Sequence, residues 1–339
     1  MERNAMRTSL HAAPRSSPQD LLADADPRAD SLSEKKEIVE GLSAPGAWVS
    51  PKYLYDALGS RLFEAITDLP EYYPTRVEQS IFERHAPEMG RVMGAGSTLI
   101  DLGAGNCEKA RGLFPALKPS QYVAVDISAD FLSQAVDALR DRFPGMDMLA
   151  LGMDFSAGLA LPPSVQSRRR TFFYPGSSIG NFQPLAALAL LTDIRRHCNE
   201  DGGLLIGVDL VKDTQTLEEA YNDSLGVTAA FNLNLLNHVN KLIGSDFSVR
   251  DWRHRSLFNA RLSRVEMHLE ARKELTVSWP EGRRTFGQGE RIHTENSYKY
   301  TLTEFQSLLE QAGFAKIRTW TDEQGWFAVF HALAQRSDA

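Results

Sequence analysis

An α/β fold built on a mostly parallel, Rossmann-like sheet is what this 339-residue sequence predicts, and three observations predict it. Between residues 98 and 208, short apolar runs alternate with amphipathic stretches, the pattern of strands joined by helical crossovers. The first run, Leu99-Ile100-Asp101-Leu102, ends in Gly103-Ala104-Gly105. Glycines there allow a sharp turn from strand to helix and let a ligand approach the backbone with no Cβ in the way. After the alternation stops, residues 316–321 and 326–334 read as two strands joined by Asp322-Glu323-Gln324-Gly325, a closing antiparallel hairpin.

The elements follow in order. Residues 1–33 are rich in Ala, Ser, Pro, Asp and Arg without apolar periodicity, and cannot offset ordering entropy by burial; they read as a disordered tail. The acids Glu2, Asp20, Asp24 and Asp26 speak against a transit peptide. Residues 36–42 read as a short helix, and Leu62, Phe63 and Ile66 mark the buried face of another. Leu69-Pro70-Glu71-Tyr72-Tyr73-Pro74-Thr75-Arg76 sets two tyrosines between prolines, so a stiff, extended segment is expected before a helix over 78–89. Strands are expected at 98–102, 122–126, 146–151, 171–174 and 204–208, with helices between. After Asp209 the alternation breaks, and residues 216–277 are assigned to an inserted domain that closes over the substrate. The resulting division is 34–76 plus 212–298 for substrate binding and 77–211 plus 299–336 for the Rossmann-like part.

Composition narrows the function. A formal net charge of -7 argues against a nucleic-acid partner and for a small-molecule substrate. Two cysteines are too few for a disulfide framework, and neither has metal-ligand spacing with the eight histidines, so no metal is expected. No apolar run reaches the roughly 18 residues of a membrane span, and the N-terminus lacks a signal-peptide core. A cytoplasmic protein without membrane contact is expected.

The glycine turn selects the ligand. A dinucleotide fingerprint needs a third glycine where this chain has Glu108, which disfavours a nicotinamide dehydrogenase, and the Lys-Ser/Thr of a P-loop is absent. An acid before Gly-x-Gly and a second acid, Asp126, closing the next strand suit a ligand with a ribose and a sulfonium but no phosphate: S-adenosylmethionine. Asp154 and Phe155 follow the third strand, where an acid and an aromatic ring can take an adenine amine and stack on its ring. The loop Pro175-Gly176-Ser177-Ser178-Ile179-Gly180-Asn181 leaves the strand expected beside the first and should face the methyl group.

With these pieces in place, the chain resembles the histidine-specific Nα-methyltransferases of ergothioneine biosynthesis from about residue 48 to its end. The resemblance rests on Tyr55-Asp56-x-x-Gly59-Ser60, the segment 69–76, Gly103-x-Gly105-x-x-Glu108-Lys109, Gly176-Ser177-Ser178-Ile179-Gly180-Asn181, Asp209-Leu210-Val211-Lys212-Asp213, Gly226-Val227-Thr228-Ala229-Ala230-Phe231-Asn232 and Glu295-Asn296-Ser297. It implies a class I S-adenosylmethionine-dependent methyltransferase fold, with a seven-stranded sheet and an inserted α+β substrate-binding domain. It also implies that Tyr55, Gly103, Lys109, Asp126, Asp154 and Phe155 hold S-adenosylmethionine. Asn181 and Tyr221 would bind the substrate carboxylate, Gly176 and Ser178 would lie near its amine, and Tyr72, Met267, Glu295 and Ser297 would surround the imidazole. Asp101 stands where a glutamate is frequent and Ser178 where a threonine is frequent; both keep the chemical group.

The implied reaction is stepwise methylation of the α-amine of L-histidine to the trimethylated betaine, hercynine. Tyr72 and Asn181 are the candidate catalytic residues; no strong general base is demanded, and Tyr72 or water can relay the proton. Glu295 and Ser297, two apart on an extended segment, face the same side and can engage both ring nitrogens; without the resemblance they would read as a solvated strand face. The closest rival is N-methylation of another amino acid, such as a tryptophan derivative, against which the carboxylate of Glu295 and the bulk of Met267 speak. A catalytically silent cofactor-binding protein is the rival of another class. A monomer is the expected state.

Overall fold

The structure, a computed structural model, describes residues 27–199 and 201–334. Ahead of the first strand lie helices α1 (Pro27–Ser43), α2 (Ala57–Thr67) and α3 (Tyr73–Met93). Strands β1 (Thr98–Leu102), β2 (Gln121–Asp126), β3 (Asp147–Gly152), β4 (Arg170–Tyr174) and β5 (Gly203–Asp209) then alternate with α4 (Glu108–Leu117), α5 (Ala129–Arg142) and α6 (Pro184–His197). Every residue of β1 and β5 is buried, as a parallel sheet covered on both faces requires.

Beyond β5 the chain forms α7 (Thr214–Glu219) and α8 (Val227–Ile243), then β6 (Trp252–Asn259), β7 (Arg264–Ala271), β8 (Leu275–Trp279), β9 (Gly282–Phe286) and β10 (Arg291–Tyr298). It returns through α9 (Leu302–Gln311) to β11 (Phe314–Thr321) and β12 (Phe327–Ala334). The main sheet has the order β11-β12-β5-β4-β1-β2-β3, with β12 antiparallel to β5 and β11 antiparallel to β12. Five parallel strands closed by an antiparallel hairpin make the class I methyltransferase arrangement. β4 does lie beside β1, so the loop after β4 opens at the switch point where ligands bind in open parallel sheets.

A second, antiparallel sheet of order β10-β7-β6 and a β8-β9 ribbon stand apart from the first. One hydrophobic cluster packs α8, the α2 region and β7 together, and two others cover the opposite faces of the large sheet. Two passages join the regions: the chain leaves β5 at Asp209 and comes back after β10. They run side by side, with Leu210 bridged to Tyr300 and the Val211 N–H donating to the Tyr300 carbonyl at 3.1 Å.

Two local expectations change. Helix α3 begins at Tyr73, so residues 73–76 are helical rather than extended. Pro74 sits in the first turn, where its missing N–H costs no hydrogen bond and its fixed φ suits a helix. Helix α1 begins at Pro27, earlier than residue 36, anchored by the buried Ile38 and Leu42. Of the segment expected to be a disordered tail, residues 1–26 lie outside the described residues, while 27–33 stand in α1. Among the described residues, no helix is long and apolar enough to cross a membrane.

Candidate active site

The glycine turn after β1 is built from left-handed backbone: Gly103 has φ +69°, Gly105 φ +52° and Cys107, just before α4, φ +62°. A Cβ at Gly103 or Gly105 would meet nothing within 4 Å, so the turn presents bare backbone to open space. Asp126, at the end of β2, accepts from the Gly105 N–H at 3.0 Å and from the Ser128 N–H at 2.9 Å, which orients its carboxylate beside the turn. Asp154 accepts from the Ser156 N–H at 3.0 Å and pairs with Lys52 at 3.4 Å. Phe155 stands edge-on to Tyr174 with ring centroids 5.7 Å apart. These groups, with Tyr55 and Lys109, line one cavity of about 1480 Å³.

That cavity fits a nucleoside sulfonium. Bare glycine backbone meets one end, and an oriented carboxylate can take a ribose diol. Asp101, wholly buried on β1, adds a further acceptor. Tyr122 donates to its Oδ2 at 2.7 Å, while its Oδ1 has no protein partner. Burial pushes its pKa up to about 7 despite that hydrogen bond.

A second, narrower chamber adjoins the first, and Tyr55, Phe63, Tyr72, Gly176, Ser178 and Asn181 line both. Tyr221, Met267, Glu295 and Ser297 line the inner chamber. All eight residues expected around the substrate therefore line this chamber, and the six expected around the cofactor line the outer cavity. Residues as distant in sequence as Tyr72 and Ser297 share one wall because β10 is laid against the turn after β4. Gly180 permits that approach, since a Cβ there would come within 2.8 Å of the Tyr298 carbonyl.

The inner chamber is aromatic with few polar groups. Tyr72 lies edge-on to Tyr221 and Phe63, with centroids 6.1 and 6.3 Å apart. Burial raises the Tyr72 and Tyr221 phenols well above their ordinary range, so both are neutral hydroxyls at physiological pH. Glu295 is buried on β10, and the Asn181 amide approaches its Oε1 at 3.4 Å. Burial raises its pKa to about 7, against the pull of nearby Lys299. Tyr221 donates to Ser297 Oγ at 2.7 Å.

Two contributors, Glu78 and Lys299, carry no expectation from the sequence, and a third, Asp209, stands there only as part of a family string. Glu78 of α3 is fully buried, pairs with Lys109 at 2.6 Å and accepts from the Gly176 N–H at 2.7 Å. It ties the helix, the glycine turn and the loop after β4 together at the partition between the chambers. Its signal was an acid three and four residues before Ile81 and Phe82, on the apolar stripe of the helix. Lys299 continues the alternation of Glu295 and Ser297 past the end of β10. Asp209, fully buried, accepts from Tyr73 at 2.7 Å and pairs with Lys212 at 2.5 Å and Lys299 at 2.7 Å. Opposed by its own burial, this double pairing still holds the Asp209 carboxyl below the usual carboxylate range. Burial, offset in part by Asp209, brings Lys212 down to about 8.

Glu266, His268 and His293 also cluster, with ligating atoms within 4.8 Å of one another, but they line neither cavity. Glu266 Oε1 is already taken by Arg264 at 2.8 Å and Asn259 at 3.0 Å.

The chain is 36% identical over 313 residues to the histidine N-alpha-methyltransferase of Mycolicibacterium smegmatis, covering 90% of this chain and 97% of that protein. It is 36% identical over 307 residues to the enzyme of the same name from Mycobacterium tuberculosis, covering 89% and 95%. It is also 29% identical over 324 residues to the N-methyltransferase imqF of Aspergillus flavus, covering 92% and 88%. The family described as histidine-specific methyltransferase, S-adenosylmethionine-dependent, matches residues 34–334, and the chain belongs to that family.

Proposed function

We propose that the protein transfers methyl groups from S-adenosylmethionine to the α-amine of L-histidine, stepwise to the trimethylated betaine, as the first step of ergothioneine biosynthesis. The observation that carries this reading is the pairing of a wide cavity bearing bare glycine backbone with a small inner chamber that offers a carboxylate and a hydroxyl to a ring with two nitrogens. Tyr55, Gly103, Lys109, Asp126, Asp154 and Phe155 are assigned to the cofactor. Asn181 and Tyr221 are assigned to the substrate carboxylate, and Tyr72, Met267, Glu295 and Ser297 to its imidazole. The segments 34–76 and 212–298 would act together as the substrate-binding part, and a monomer working in the cytoplasm suits the role.

When bound, the cofactor would supply an electrophilic methyl on a sulfonium, from which the neutral thioether departs as a good leaving group. The chain's part is alignment, worth up to roughly 7–11 kcal/mol in favourable cases. Gly176 and Ser178 leave the space beside the amine small-sided, so the nitrogen can gain methyl groups without collision. A Cβ at Gly176 would stand 3.1 Å from Lys109 Nζ, and the residue's φ of +78° suits glycine. The amine attacks as its neutral form, and with an ordinary α-amino pKa of about 8 a fraction is neutral already. Tyr72, a neutral hydroxyl in this site, is assigned to accept the amine's hydrogen bond and pass its proton to water. A buried polar site of this kind rejects analogues lacking the ring nitrogens by up to ~10⁴–10⁵, because its own groups would be left unpaired.

Incubation with S-adenosylmethionine and a mixture of all amino acids, followed by mass spectrometry, tests the reading. Additions of one, two and three methyl groups to histidine alone are expected. Methylation of tryptophan or another amino acid in its place would overturn the substrate, and no product at all would overturn the activity.

A further inference from the structure

Among the described residues that line the inner chamber there is no lysine, arginine or histidine, and the one carboxyl group there is Glu295. A substrate carboxylate set in such a chamber loses water without gaining an opposite charge from the lining. That is costly unless the charge is supplied from behind the wall. Tyr221, assigned to this carboxylate, is a neutral hydroxyl through which such a charge can act.

Lys299 stands directly behind Tyr221. It is wholly buried and lines neither cavity, with Nζ 3.1 Å from the Tyr221 hydroxyl oxygen and 4.9 Å from the ring centroid. Its backbone is clamped: the Lys299 N–H donates to the Ser263 carbonyl at 2.8 Å, and the Ser263 hydroxyl donates to the Lys299 carbonyl at 2.7 Å. One carboxylate, Asp209, faces both Lys299 and Lys212, so the cluster keeps a surplus of positive charge behind Tyr221.

The hydrogen bonds leave the phenol free to serve a ligand. Tyr221 directs its hydrogen to Ser297 Oγ at 2.7 Å, and that oxygen also accepts from Lys299 at 2.8 Å. When the phenol turns its hydrogen to a carboxylate, Ser297 Oγ keeps a donor, and no buried acceptor is orphaned. Because the phenol oxygen itself accepts from Lys299, it donates the more strongly. A carboxylate oxygen taking that hydrogen sits about 2.7 Å from the phenol oxygen, and so no more than about 6 Å from the ammonium.

We propose that Lys299 is a positioning residue for the substrate carboxylate: it aims and strengthens the Tyr221 hydroxyl as a donor and supplies, through it, the positive charge that the chamber lining lacks. The proposal rests on the histidine reading above, with the carboxylate at Asn181 and Tyr221, and deepens it. Lys299 itself touches no substrate atom.

The test compares binding of L-histidine with that of L-histidinamide, which keeps the ring, the amine and a carbonyl but not the negative charge. Calorimetry is run on full-length protein saturated with S-adenosylhomocysteine at neutral pH. The wild type should prefer histidine by about tenfold or more, as a hydrogen bond to a charged group allows, and equal affinities would overturn the proposal. In Lys299→Met the preference should fall to within about twofold through loss of histidine affinity, while the Kd for S-adenosylhomocysteine stays within about twofold of wild type. A preference of wild-type size in that variant would refute the role. An equal loss for histidine and histidinamide would show that the lysine only supports the fold. In Tyr221→Phe the preference should already be small, and adding Lys299→Met should cost histidine little more; a full further loss would show that the lysine does not act through the phenol. Should Lys299→Met fail to fold, Lys299→Gln removes the charge while keeping a polar side chain, and the same outcomes decide. Failure of the functional reading looks different: the wild type would bind neither ligand and would methylate no histidine.

Discussion

Glu295 shows how a binding role is held against stability. Its carboxyl keeps a proton up to about pH 7 in the folded chain, whereas in the unfolded chain it releases that proton near 4.3. Between these values the native state binds more protons, so stability falls as pH rises through the window and the full penalty stands above it. Glu295→Gln should therefore raise the melting temperature of the ligand-free protein at pH 8, by roughly 1–3 kcal/mol of stability, and leave it unchanged at pH 4. An equal or lower melting temperature at pH 8 would show that the carboxylate is not strained by burial. The same position should control the substrate: Glu295→Ala is expected to raise the KM for histidine far more than that for S-adenosylmethionine, and equal effects on both would sink the assignment. For Asn181, truncation to Ala should weaken histidine binding but leave histamine, which lacks the carboxylate, no worse off; a matching loss in histamine binding, by calorimetry, would refute contact with the carboxylate.

At the scale of elements, the site depends on how helices begin. Asp56 caps α2, accepting from the Gly59 N–H at 2.8 Å, and the same oxygen receives the Asn234 amide of α8 at 2.8 Å. One side chain thus orients two helices behind Tyr55. Loss of an N-cap costs about 0.5–2 kcal/mol, and here a cross-helix bond goes with it. Asp56→Ala should lower the melting temperature by several degrees, with Asp56→Asn largely sparing it; equal losses in the two variants would show that the charge and not the cap matters. Strand and helix alternation is readable because strands buried on both faces are short and mostly apolar, as in β1, β2 and β5. The start of α3 departs from the extended chain that the sequence predicts, because proline signals both extended chain and a helix's first turn, and the neighbouring tyrosines do not discriminate between them.

Across the whole molecule, the two passages between the sheets are pinned at one buried point. Asp209, leaving the large sheet, holds Lys212 three residues on and Lys299 on the returning passage, and it also accepts from Tyr73 of α3. Removing one partner of a buried ion pair costs about 3–5 kcal/mol, because the other charge is left uncompensated. Asp209→Asn strands two lysines, and a loss of that size in thermal or urea unfolding is the expected result; a change below about 1 kcal/mol would mean that the passages are held by their backbone bonds alone. Glu78 plays the matching part between α3, the glycine turn and the loop after β4. Gly207 of β5 leaves room for it, since a Cβ there would fall 2.0 Å from Glu78 Oε1.

What the amino-acid sequence determined by itself was everything carried by local order: the alternating elements, the Gly-x-Gly turn, the acid closing β2, and the strings that mark the family. These are legible because periodicity and turn chemistry act over a few residues. Glu295 and Ser297 were legible as a pair for the same reason, since alternation along a strand puts both on one face. Only the tertiary structure decided that Lys299 stands between Ser297, Tyr221 and Asp209, and that Glu78 is the partner of Lys109 and Gly176. A charged residue on an apolar stripe has many conceivable partners, and which one it meets depends on strand order and crossovers that join segments far apart in the chain. The same long-range meeting sets the direction of the hydrogen bonds in the chamber, because a hydroxyl's role as donor or acceptor is dictated by its neighbours.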